Sequence, residues 1–111
     1  MTRLRLRPAR FAAARSGPSI VRSKRKPGAT MAYWLSEDAT GRFTVQRPRR
    51  GRPRIAGAFT HHGRAGANAF MFTGRVRKRR LPVGRYTLVA SATGRAGKAA
   101  ARARARFTIV R

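Results

Sequence analysis

Apolar and polar residues alternate with a period of two in short runs along this chain, the pattern of strands with one buried face. Leu4 and Leu6 alternate with Arg3, Arg5 and Arg7, and Met31, Tyr33 and Leu35 alternate with Thr30, Ala32 and Trp34. Between Gly41 and Arg47, Phe43 and Val45 fall on one side and Arg42, Thr44 and Gln46 on the other. Phe70 and Phe72 take the inward positions of the next run, which leaves Met71 and Thr73 outward. Tyr86, Leu88, Ala90 and Ala92 alternate through a long run, and Phe107 and Ile109 do so near the C-terminus. A weaker seventh strand is expected over Ile55 to Thr60.

Turn residues separate these runs: Pro27-Gly28, Gly41, Pro48 to Pro53, Gly63 to Gly66, Pro82 to Gly84 and Gly94 to Gly97. Strand centres roughly ten residues apart point to a sandwich or small barrel. The expected core is Leu4, Leu6, Tyr33, Leu35, Phe43, Val45, Phe70, Phe72, Tyr86, Leu88, Phe107 and Ile109. Arg10 to Lys26 shows no sustained period of 3.6 and reads as a long basic connection with room for one helical turn. Residues 98–106 are Lys98 followed by Ala and Arg, all good helix formers, but Ala103 and Ala105 are in phase with Phe107, so strand is favoured from about Ala103 onward.

At 111 residues the chain is long enough for one small domain, and its 41% apolar residues are enough for one core. The absence of Cys excludes a disulfide framework, a thiolate zinc site and a cysteine nucleophile. No apolar run approaches the roughly 20 residues of a spanning helix, so no membrane span is expected. The two acidic residues, Glu37 and Asp38, are adjacent and diverge on an extended chain, which argues against paired-carboxylate catalysis. Ser16, Ser19, Ser23, Ser36 and Ser91 lie outside any nucleophile-elbow context, and the chain reads as non-enzymatic, with no cofactor. His61 and His62 likewise diverge and read as a solvated loop pair, not as metal ligands. The short Gly-rich pieces Gly63 to Gly66 and Gly94 to Gly97 match no phosphate-loop pattern and read as hairpin connections.

The net charge is +26, from 28 Lys plus Arg, and all but four of these are Arg. Abundant Arg together with abundant Ala is what GC-rich codon usage produces, so part of this charge is compositional background. Met1 to Arg15 shares the Arg-rich, acid-free composition of organellar presequences, but no apolar segment follows it as a secretory signal would require.

The run Leu81-Pro82-Val83-Gly84-Arg85-Tyr86-Thr87-Leu88-Val89-Ala90-Ser91-Ala92-Thr93 resembles the penultimate strand of bacterial immunoglobulin-like domains. Pro82 and Gly84 would form the corner, and Tyr86 would pack its ring inward with its hydroxyl on corner backbone. Upstream of it, Gly28-Ala29-Thr30, Leu35 to Ala39, Phe43-Thr44-Val45 and Gly66 to Gly74 agree with the same modules in order. From about Leu4 to Val110 the chain is similar to the immunoglobulin-like or fibronectin-type-III-like modules at the C-terminal ends of secreted proteins of high-GC actinobacteria. The resemblance implies an all-β immunoglobulin-like antiparallel sandwich of about seven strands, forming a single domain over residues 1–111 with a long basic connection at 10–27. Gly94-Arg95-Ala96-Gly97-Lys98 departs from it, lacking the Asp and Asn usual in that turn. No disulfide or calcium role carries over.

Two basic blocks stand out. Arg47, Arg49, Arg50, Arg52 and Arg54 are interleaved with Pro48, Gly51 and Pro53, as in short hooks that enter the minor groove of DNA. Arg75, Arg77, Lys78, Arg79 and Arg80 form the second, in an expected loop. Both are candidate anion or nucleic-acid contacts. Trp34 lies off the apolar phase of its strand and is a candidate aromatic contact, able to stack on bases or sugars or to cover the edge of the core. The leading expectation is a non-catalytic structural or adhesive module of an extracellular or cell-wall protein, with anionic wall polymers or proteins as partners. The alternative is a small Arg-rich nucleic-acid-binding protein using residues 47–54 and 75–80. With no signal peptide in this sequence, the cytoplasm also stays open as its location.

Overall fold

A computed structural model describes residues 1–15, 18–21, 28–77, 79–94 and 102–111. Alternation becomes strand wherever one face can be buried. The described strands are β1 (Thr2–Arg7), β2 (Arg10–Ala12), β3 (Ile20–Val21), β4 (Ala29–Leu35), β5 (Ala39–Arg47) and β6 (Arg54–Gly63). They continue with β7 (Gly66–Phe72), β8 (Arg75–Val76), β9 (Arg79–Arg80), β10 (Gly84–Gly94) and β11 (Ala103–Val110). One sheet has the order β1-β4-β7-β3, a second β2-β11-β10-β5-β6, and β8 pairs with β9 alone. The fold is all-β and sandwich-like, and among the described residues no helix is long and apolar enough to cross a membrane.

The N-terminal segment serves both sheets. β1 pairs antiparallel with β4, and β2 pairs parallel with β11. Pro8, which has no N–H to donate, stands between them.

In the second sheet β10 sits between β5 and β11, with Ala90 opposite Phe43 and Ala92 opposite Gly41. The small residues Ala90, Ala92 and Gly41 leave room for the rings of the first sheet. Phe43 meets Tyr33 and Phe70 edge-on at 5.4 and 5.5 Å, and Phe72 meets Phe107 edge-on at 5.7 Å. These ring contacts join the two sheets across one core.

Every expected core residue except Leu4 is buried, and Leu4 packs half-buried against the others. Phe11, Met31, Val76, Leu81 and several Ala complete that core. The corner expected before β10 is present: the Tyr86 ring is buried and its hydroxyl donates to the Pro82 carbonyl at 2.6 Å.

Three local expectations need correction. Met71 and Thr73 are buried rather than outward. Thr73 Oγ1 donates to the Pro18 carbonyl at 2.6 Å and Thr73 N to the Ser19 carbonyl at 2.9 Å, so the segment after β2 covers this corner. The stretch at 10–27, expected as a connection, contains β2 and β3, while its residues 16–17 and 22–27 lie outside the described residues. Gly63 to Gly66 is no hairpin; it carries the chain from β6 in the second sheet to β7 in the first. The Gly94 to Gly97 turn and the start of the Ala/Arg run at 98–106 fall on residues 95–101, also outside the described set.

Candidate functional site

The two basic blocks lie 21 positions apart, from Arg54 to Arg75, yet they meet in space for a local reason. In the β5–β6 ladder Val45 faces Gly57 but Gln46 faces Ile55, so β6 carries one extra residue, Ala56, and its register shifts there. Such a bulge re-aims the side chains beyond it. It sets Arg54 directly opposite Arg47 and leaves Ile55 54% exposed.

Gly57, next along β6, is buried, and a Cβ there would meet Val76 Cβ at 2.8 Å. The absent side chain is what lets β8 lie against β6. The β8–β9 segment is closed by a bond from Leu81 N to the Gly74 carbonyl at 2.9 Å, and Gly74 takes the left-handed φ of +80°.

The result is a depression of about 690 Å³ whose charged lining is Arg47, Arg54, Arg77, Arg79 and Arg80. Ile55, Val76, Leu81, Pro82 and the Tyr86 ring supply its apolar lining. The Arg47 guanidinium lies 5.7 Å from the centre of the Tyr86 ring, a cation–π contact that holds one charge in place. Burial pushes the Tyr86 hydroxyl pKa up, with Arg47 pulling weakly the other way, so the ring stays neutral beside the guanidinium.

Like charges face each other across this ladder, and cross-strand like pairs cost stability unless something neutralises them. The two side-chain carboxylates are far off. Glu37 and Asp38 precede β5, whereas Arg47 ends it, about 26 Å away along a nine-residue strand. Asp38 accepts a bond from Ala65 N at 2.8 Å at that far end.

The remaining candidates are distributed differently. Arg49, Arg50 and Arg52 are exposed on the loop between β5 and β6 and do not line the depression. Arg75 turns away from it: its Nη1 donates to the Arg15 carbonyl at 2.9 Å, a structural use of this charge. Lys78 lies outside the described residues. Trp34 is 40% exposed on the outward side of β4, between the small residues Thr2 and Ala67 of the flanking strands, and apart from the arginine depression. Ile55, Leu81 and Tyr86 were not legible as site residues. Their only sequence signal is Ile55, a large aliphatic residue directly after the Pro/Arg loop.

The histidine pair is strand, not loop. His61 stacks on Phe70 at 4.4 Å and its Nδ1 is hydrogen-bonded to the buried Tyr33 hydroxyl, while His62 is exposed with Nδ1 3.2 Å from Thr40 Oγ1. Burial, and secondarily the charge of His62, lower the His61 pKa below its ordinary 6.5, and burial raises that of Tyr33 to about 12. The neutral ring therefore supports the fold above pH 6.5, and that support is lost as the pH falls from 6.5 through the lowered folded value, because the unfolded chain then binds the extra proton. Melting temperature is expected to drop between pH 7 and pH 5, and His61→Phe to flatten that part of the profile. A profile unchanged by the substitution would contradict this assignment. Compared with protein-family models, with curated proteins and with solved structures, the chain matches none.

Proposed function

We propose that this chain is a non-catalytic immunoglobulin-like module, working outside the cell or in the cell wall, that binds phosphate-bearing anionic polymers at its arginine-lined end. The observation that carries the binding is the convergence of five guanidinium groups from two separate blocks around one concavity. Guanidinium groups suit phosphate because their planar fork offers paired donors, and low local competition from carboxylates leaves them available. The immunoglobulin-like reading is supported by the strand orders, by the parallel pairing of β2 with β11, and by the Tyr86 corner.

The test compares two variants of equal charge change. A rim variant carries Arg54→Ser, Arg77→Ser, Arg79→Ser and Arg80→Ser; a control variant carries Arg5→Ser, Arg42→Ser, Arg104→Ser and Arg106→Ser, all exposed positions away from the depression. Binding to poly(glycerol phosphate) is measured from roughly 50 to 300 mM salt. The rim variant is expected to lose affinity far more than the control and to show a shallower salt slope. Equal losses would mean that only net charge matters.

One observation favours nucleic acid as a second reading. Gly51, with a φ of +81°, has open space around it in the exposed loop that carries Arg49, Arg50 and Arg52. Such a tip can enter a groove. If duplex DNA binds more tightly than the phosphate polymer, and loses most of its affinity when those three arginines become serine, this reading displaces the first.

A further inference from the structure

The order of the second sheet lines up more cations than the depression holds. β2 and β11 run parallel and end together, with Val110 opposite Ala12. β10 starts at that same end, where Gly84 faces Ile109, and β5 finishes there, with Gln46 facing Thr87. Arg54 opens β6 opposite Arg47. Because the strands lie in the order β2-β11-β10-β5-β6, the arginines at this end form a row: Arg15 beyond β2, Arg111 beyond β11, Arg80 before β10, then Arg47 and Arg54. Four steps between neighbouring strands make the row about 19 Å long.

A second depression, of about 430 Å³, lies along the first part of this row, with Arg15, Arg80 and Arg111 as its charged lining. Arg80, Leu81 and Pro82 line both depressions, so the two adjoin across this segment. The backbone that carries Arg15 is held in place: Arg75 donates to the Arg15 carbonyl at 2.9 Å, and Ala14 N to the Thr73 carbonyl at 2.8 Å. The three guanidinium groups outnumber the carboxylate that follows Arg111 in the 111-residue chain. Tyr86, the one aromatic ring among the described lining residues, is buried, so neither depression offers a base a face to stack on. That favours a phosphate chain without bases.

We propose that the two depressions form one binding track across the strand ends, with Arg15 and Arg111 as its second subsite, and that the track takes an extended chain of phosphodiester-linked glycerol. This rests on the anion-binding reading above and adds a minimum length of ligand to it. A glycerol phosphate repeat has the backbone bonds of two peptide units and spans about 7 Å when extended. The row therefore meets about four consecutive phosphates. A single phosphate fills one depression only, whereas in a linked chain the second contact is intramolecular and adds to the first.

Calorimetric titration of the whole chain with synthetic glycerol phosphate oligomers of about one to six phosphates tests it. Affinity is expected to rise steeply up to about four phosphates and little beyond. Arg15→Ser with Arg111→Ser changes two exposed side chains and keeps the backbone carbonyl that Arg75 uses. This variant should bind the four-phosphate oligomer about tenfold more weakly, with the one- and two-phosphate compounds within about twofold of their original affinity. Arg104→Ser with Arg106→Ser removes the same charge from β11 outside both depressions, and should leave the length dependence in place. A length dependence that survives Arg15→Ser with Arg111→Ser, or an equal loss in the Arg104 and Arg106 variant, overturns the track; the first depression then still stands on its own dependence on the rim arginines. If the rim variant binds the shortest compounds as well as the original chain does, both readings fall. Tighter binding of a single-stranded oligothymidylate with the same number of phosphates overturns the choice of ligand in favour of nucleic acid.

Discussion

Replacing Phe43 by alanine is expected to lower the free energy of unfolding by about 3–5 kcal/mol, as for other large aromatic residues in close-packed cores. Phe43 is fully buried, and its ring meets those of Tyr33, Phe59 and Phe70 within 5.3 to 5.5 Å. The residue opposite it on β10 is Ala90, too short to refill the space without backbone movement. A small domain has about 5–15 kcal/mol in all, so the variant should be partly unfolded near room temperature or show a strongly reduced urea midpoint. Phe59→Ala, at a half-buried position on the edge strand β6, should cost clearly less. Equal midpoints for the two variants would mean that the core is not centred between β5 and β4.

That ring cluster was legible in the sequence because β5 and β10 each bury a single face, and a period of two then reports burial directly. The same rule misplaced Thr73 and Met71, since it assumes that the outward face meets water. Here the segment around Pro18 and Ser19 folds over that face and supplies carbonyls to the Thr73 hydroxyl. Val76 and Leu81 were missed for a related reason. They lie among arginines, and only the structure shows Val76 turned in against Gly57 and Leu81 buried.

The candidate site was half readable. Both basic blocks stand out by composition, but their meeting depends on the bulge at Ala56 and on a missing side chain at Gly57, neither of which carries a periodic signal. Nor could composition reveal that Arg75 is spent on the carbonyl of Arg15, or that Arg49, Arg50 and Arg52 stay outside the depression. Among the described residues no Arg or Lys is buried, so this charge lies around the β core and not within it.

Removing the rim arginines is expected to have opposite effects on binding and on stability. The rim variant loses four cationic donors from one concavity, and charge-assisted hydrogen bonds are strong enough that losing several together should weaken phosphate binding about a hundredfold or more. The same substitutions break up facing like charges, so the unliganded variant should melt no lower than the original chain at low salt. Arg47 is retained in this variant because it covers the Tyr86 ring. A rim variant that melts well below the control would mean that these arginines serve packing instead.

The claim at the centre of this account is that the arginine-lined depression, and not the overall charge, receives the anion. Thermal unfolding with and without inorganic pyrophosphate tests it most directly, because a ligand bound only by the folded state stabilises it by about 2.7 kcal/mol at a hundred times its dissociation constant. At that concentration the original chain and the control variant are predicted to gain comparable increases in melting temperature, and the rim variant almost none. Equal gains in all three, or equal loss in rim and control variants, would contradict it.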